Sequence, residues 1–282
     1  MNPNLYLNHS PFTHPGAHAA LLETLPQTLP ELTEALRGLV IHYRASGLEF
    51  PLERIKDIDT RWVSAILERI RERDPAPLSV AREPLERFVG CCRDFSLLLV
   101  AALRQQGIPA RARVGFAPYL HPEFRYDHVI AQYWNGTRWV SVDAQLEPQN
   151  FEFDPLDMLT GTFLPAHTVW QRYRTGQLDP ELYGVSPHLP FRGPLFIRDY
   201  VLLELAFLKN RELLLWDRWS AMNEPLEQSA PLIDELAALL ERDDVDALES
   251  FIRNHRRMQA EGEMVCHSPT GQTFRWQLES ML

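Results

Sequence analysis

Two adjacent cysteines stand in the segment Gly90-Cys91-Cys92-Arg93-Asp94-Phe95, where a helical pattern begins. A helix N-terminus is a place where a thiol ionises readily, because the free amides and the macrodipole favour an anion. Downstream, His128 and Asp143 flank Asn135-Gly136, which separates two alternating apolar runs. Asn-Gly is the strongest short-range signal for a two-residue type I′ hairpin. Such a turn would set His128 directly opposite Asp143, with Cβ atoms about 4.5 to 5.5 Å apart. A thiol, an imidazole and a carboxylate are the groups of covalent thiol chemistry, in which a base activates the sulfur and a third group orients the base.

The elements that must position these groups are legible around them. Phe95, Leu98, Leu99, Ala102 and Leu103 follow helical spacing, and Gly107-Ile108-Pro109 supplies a stop. Ala110, Ala112, Val114 and Phe116 alternate with Arg111, Arg113 and Gly115, the pattern of a strand with one apolar face. In the hairpin, Val129, Ala131 and Tyr133 share a face with Val140 and Val142, while His128, Ile130 and Gln132 share the other with Trp139, Ser141 and Asp143. A slip of one residue would spoil the His128–Asp143 meeting; a four-residue loop is the competing arrangement. Upstream, Ala17 to Leu25, Pro30 to Arg44 and Thr60 to Arg73 carry helical spacing, with Thr60 as a cap. Glu147 to Pro194 reads as a long covering segment, followed by helices over 199–222, 231–242 and 245–258 and a hairpin around Ser268-Pro269-Thr270-Gly271.

Composition narrows the function classes. The formal net charge is −10 with no basic run, so a nucleic-acid backbone is not an expected partner. The densest apolar stretch near the cysteines, Leu97 to Leu103, is far shorter than the roughly 20 residues that span a bilayer, so no membrane partner is expected. The N-terminus reads as polar and proline-containing, without a secretory leader, and the chain is expected to be cytoplasmic. Three cysteines, Cys91, Cys92 and Cys266, are an odd set without disulfide-framework spacing, which suits a reducing compartment. Pro15-Gly16 interrupts the one His pair at i,i+4, His14 and His18, so no metal and no cofactor are expected. Calcium-loop spacing is lacking as well.

Gly90 to Leu146 resembles the transglutaminase-like superfamily of the papain-like thiol enzymes, bacterial type. The matching text is Gly90-Cys91-Cys92-Arg93-Asp94-Phe95-Ser96, then Leu103 with Gly107-Ile108-Pro109-Ala110-Arg111, then Asp127-His128-Val129, then Trp139-Val140-Ser141-Val142-Asp143. The resemblance implies Cys92 as nucleophile, His128 as its base and acid, and Asp143 as the orienting carboxylate. Cys91 is the competing nucleophile, separated from Cys92 only by helix phasing and by the family's placement of the cysteine before an Arg-Asp-Phe-like segment. The backbone N–H of Cys92 would receive the oxyanion. A second donor is not evident: Trp62 is a candidate by type and order, although its amphipathic helix favours core packing. Gln132 and Trp139, sharing the His128 face, would line the acyl pocket with Tyr126 and His121, and Arg93 would contact a substrate carboxylate unless it is ion-paired.

The fold expected is α+β: a papain-like, transglutaminase-like core over 83–147, in which the cysteine helix packs on an antiparallel sheet, between a helical N-terminal region (1–82) and a mostly helical C-terminal extension (148–282). The function expected is that of a hydrolase or acyl transferase acting on an amide-type bond through a thioester, with a peptide, protein or small amide as substrate. Peptidase or amidase chemistry is favoured over amine transfer, and the alternative from another class is a non-catalytic scaffold that retains the fold.

Overall fold

The computed structural model describes residues 2–278. Its N-terminal part contains the helices α1 (Ala19–Leu22) and α2 (Leu29–Leu39), the short strand β1 (Val40–His42), and the helices α3 (Leu52–Ile55) and α4 (Val63–Arg73). Strand β2 (Phe88–Gly90) leads into α5 (Cys92–Gln105), then β3 (Ala110–Ala117), β4 (Arg125–Trp134) and β5 (Trp139–Val142). The remainder holds β6 (Leu164–Pro165), α6 (Ala166–Arg174), β7 (Tyr183–Gly184), α7 (Pro194–Leu208), β8 (Asp217–Arg218), α8 (Leu226–Arg242), α9 (Val245–Asn254) and the hairpin β9 (Glu263–His267) and β10 (Thr273–Gln277). This is the mixed helix-and-sheet architecture expected, built on a largely antiparallel five-stranded sheet of order β5-β4-β3-β6 with β7 parallel to β4. No helix among the described residues is long and apolar enough to cross a membrane.

Helix α5 packs against β3 and β4, and α6 and α7 pack against β3. Its start is fixed by a reciprocal cap: the Cys91 sulfur accepts from the Asp94 amide, and the Asp94 carboxylate accepts from the Cys91 amide at 2.9 Å. Asp57, itself buried, accepts from Arg69, from Arg73 and from the Val89 amide, and so ties β2 to the helices upstream. At Gly115, which pairs with His128 on one side and Pro165 on the other, a Cβ would lie 2.1 Å from the Leu164 carbonyl oxygen. Only glycine allows β6 to close on β3 there.

Three details depart from the sequence reading. Val40 to His42 leaves the expected helix and forms β1, paired in parallel with β2 at Val40–Phe88, Ile41–Val89 and His42–Gly90. That pairing crosses the boundary expected at 82/83. The face of β3 bearing Arg111 and Arg113 is buried, because Arg113 forms a 2.6 Å ion pair with Glu204 of α7. Helix α7 begins earlier and ends much sooner than expected, at Leu208, with Asn210 in the left-handed region two residues on.

The hairpin turn also sits one residue further along than Asn-Gly chemistry suggests. The pairs are Ala131–Val142 through Trp134–Trp139, and the Asn135 amide donates to the Arg138 carbonyl, so Gly136 and Thr137 occupy the central positions. Gly136 has φ +97°, while Thr137 is not in the positive region, as a type II′ turn requires. The cause is the Asn135 side chain, whose Oδ1 accepts from the amides of Thr137 and Arg138 and closes the turn itself. The register thus shifts by two residues, which keeps every side chain on its expected face. Asp143 consequently reaches His128 along the diagonal.

Candidate active site

Cys92 is the first residue of α5, and its amide N–H has no acceptor among the described residues. His128 on β4 and Asp143 just past β5 are both buried, and His128 Nε2 lies 2.6 Å from Asp143 Oδ2. The ring nitrogen left over, Nδ1, is therefore the one available to the Cys92 sulfur, with which the ring is coupled by hydrogen bond and charge. Asp143 is held in turn by the Tyr119 hydroxyl, which donates to Oδ2 at 2.7 Å, and by the Gln145 amide, which donates to Oδ1 at 3.1 Å. A carboxylate with those partners cannot swing away from the imidazole.

The electrostatics follow from these contacts. The Cys92 thiol is held well below its ordinary range, first by a hydrogen bond from Cys91 and then, against the effect of burial, by the bond and charge of His128. Cys91 is pushed well above its ordinary range by that same bond, by burial and by Asp94, so the protonated neighbour donates to the ionised one. Burial alone would lower His128, but Asp143 and the Cys92 sulfur together hold it well above the usual imidazole range. A thiolate–imidazolium pair over a wide span around neutrality is the result. Tyr119 is pushed up by burial and by Asp143 and remains a phenol donor.

These groups open on a cavity of about 1030 Å³. His42, Tyr43 and Arg44 line it from the end of β1, Cys91 and Cys92 from the helix, and Tyr126, Asp127 and His128 from β4. The opposite wall comes from the C-terminal part, including Val185, Phe191, Phe196, Tyr200, Trp216, Arg218 and His267. The walls are mostly apolar and aromatic, interrupted by a few charged groups, as small-molecule and chain-end pockets are. Asp127 receives the Tyr200 hydroxyl and is pushed up to about 7 by burial and by its proximity to the Cys92 sulfur.

The four further candidates from sequence are not in this cavity. Trp62 caps α4 and meets Trp276 edge-on at 6.5 Å. Arg93 is wholly buried, donating to the carbonyls of Thr60, Arg61 and Glu212 and pairing with Asp94 at 2.8 Å, so it clamps the helix start instead of facing substrate. Gln132 bonds Arg111 at 2.9 Å and Ser141 at 3.0 Å. Trp139 stacks beneath the Arg111 guanidinium and meets Tyr6 edge-on. Gln132 and Trp139 share the expected face with His128 but do not line the cavity. Tyr126 does line the cavity, and the His121 ring is engaged by the loop amides of Glu123 and Phe124. His42, Asp127, Tyr119 and the aromatic wall from the C-terminal part were not singled out by sequence. Only Asp127, next to His128 in the motif, carried a local signal.

Residues 46–144 match the model of the transglutaminase-like superfamily, a span that includes Cys92, His128 and Asp143. A solved structure described as a "Putative Cysteine Protease" from Cytophaga hutchinsonii is similar over 53% of this chain and 45% of that one, at 20% identity and a TM-score of 0.34. The similarity thus spans less than half of that protein's length. No curated protein matches the chain.

Proposed function

We propose that this protein is a thiol enzyme that breaks an amide-type bond through an acyl intermediate on Cys92, with water as the usual acceptor. The observation that carries the reading is the buried His128–Asp143 pair at 2.6 Å, with His128 and Cys92 lining one cavity. The Cys92 thiolate attacks the carbonyl carbon, a C–S bond forms, and the carbonyl π pair moves onto oxygen. Collapse of that oxyanion expels the amine, which takes the proton carried by His128 Nδ1, and leaves a thioester. A water molecule then attacks as His128 accepts its proton, and the thiolate departs as the carboxylic acid is released. Asp143 keeps the ring oriented and stabilises its charged form without taking a proton itself.

Substrates of this class are peptides, proteins or small amides, and the mainly apolar cavity favours an acyl group with apolar surface. The three cysteines are unpaired, which suits the reducing compartment we propose for the protein. The test is to incubate native protein and Cys92→Ala with glutamine-containing peptides, with and without a primary amine, and to weigh products and protein. Hydrolysis by the native protein alone, with an acyl mass trapped on Cys92, is expected. Amine incorporation outpacing hydrolysis would turn the reading to transfer, and equal turnover by Cys92→Ala would end it.

A further inference from the structure

We propose that His42 is the second oxyanion donor, its Nε2–H and the Cys92 amide together receiving the carbonyl oxygen of the acyl group. The inference rests on the thiol-enzyme reading and adds to it a residue outside the matched span 46–144. His42 ends β1, and its backbone pairs with Gly90, so its position is tied to the residue two before Cys92. The Tyr43 amide donates to the Gly90 carbonyl at 2.9 Å and fixes the pair from the other side.

The state of the ring follows from its bonds. His42 Nδ1 accepts from the amides of Arg44 and Ala45, each at 3.1 Å. A nitrogen that accepts two N–H groups carries no proton, so a neutral ring has its hydrogen on Nε2. Nε2 has no partner among the described residues, and His42 lines the same cavity as Cys92. Stacking on Tyr43, at 5.3 Å and 11° between planes, holds the ring's orientation. Burial lowers the ring to about 4, with Arg44 and His128 opposing a further positive charge and the Cys92 sulfur favouring one. The neutral donor therefore persists at neutral pH, and His42 does not compete with His128 for the thiol proton.

A donor of this kind acts chiefly when charge develops on oxygen, and His42 lowers the Cys92 thiol less than Cys91 and His128 do, so the two effects can be separated. Two reagents exploit that difference. Iodoacetamide alkylates the thiolate by displacing iodide at a saturated carbon, with no oxyanion. p-Nitrophenyl acetate acylates it through a tetrahedral oxyanion and releases p-nitrophenolate. In His42→Phe, which keeps a stacking ring and removes the N–H, acylation of Cys92 should slow by about a hundredfold while alkylation stays within about twofold. His42→Gln, which retains an N–H donor, should recover part of the acylation rate. Equal loss in both reactions would show that His42 serves the fold or the thiolate, and an unchanged acylation rate would exclude it from the oxyanion site; either overturns the proposal. A native protein whose Cys92 reacts with neither reagent would instead overturn the thiol-enzyme reading, and the assignment of His42 with it.

Discussion

Replacing Asp127 by Asn should stabilise the protein, and only above mildly acidic pH. The carboxyl lies in the cavity wall beside the Cys92 sulfur, with the Tyr200 hydroxyl as its donor, and burial pushes it up to about 7 from 3.8. The unfolded chain loses this proton near its ordinary value while the native state keeps it, so the native state binds more protons between those two values. Stability must then fall as pH rises from about 4 to 7, and the penalty is complete above 7. A shift from 3.8 to about 7 corresponds to about 4 kcal/mol. Part of the side chain opens on the cavity, so that figure is an upper bound. Asn keeps the oxygen that Tyr200 needs and never ionises. Urea unfolding of both proteins at several pH values measures the difference directly: near zero close to pH 4 and rising to a few kcal/mol in favour of the variant by pH 8.5. A variant that is less stable at high pH would refute the reasoning, because it would mean that the native carboxylate is ionised and satisfied.

Other consequences follow from the same contacts. Glu204 is held at about 2 because His167 and Arg113 outweigh its burial; its contribution of about 3 kcal/mol is present above pH 4.5 and lost as pH falls towards 2. The stability gap between native and Glu204→Gln should close over that range in calorimetry. Asp143→Asn removes the charge that supports His128 and should cut Cys92 alkylation at pH 7 by about ten- to a thousandfold, read by mass spectrometry of the labelled peptide. Tyr119→Phe removes one donor from Asp143 and should cost about 1.5 to 3 kcal/mol in urea unfolding while Cys92 remains reactive. Gly115→Ala meets a backbone oxygen that cannot yield, and loss of the β3–β6 pairing should appear as rapid amide exchange at Leu164 and Phe116.

The core elements were legible because their signals are local. Capping chemistry and apolar spacing marked α5, and alternation marked β3, β4 and β5. The register was misjudged by two, since the Asn135 side chain captures the turn amides that a type I′ hairpin would leave to the backbone. The meeting of His128 with Asp143 survived because an even shift preserves faces. The ion-paired alternative for Arg93 holds through Asp94, but its further acceptors are carbonyls at residues 60, 61 and 212, which no local pattern reveals. Strand β1 was hidden for a similar reason: three residues find their partner only at Phe88 to Gly90, and the helical pattern before them runs on without a break. The cavity wall from the C-terminal part depends on how β8, β9 and α7 dock, information that resides in packing alone.

The central claim is that Cys92, with Cys91 as its hydrogen-bond donor and His128 as its partner base, ionises well below the pH at which an isolated thiol ionises. The rate of iodoacetamide alkylation at Cys92, followed peptide by peptide from pH 4 to 10 in the native protein and in His128→Ala, tests it. The account predicts a first rise far below the usual thiol value of about 8.5 in the native protein, with Cys91 and Cys266 slow throughout, and a clear displacement of that rise to higher pH in the variant. A native Cys92 that titrates with a single step near 8.5, unchanged by loss of the imidazole, would contradict it.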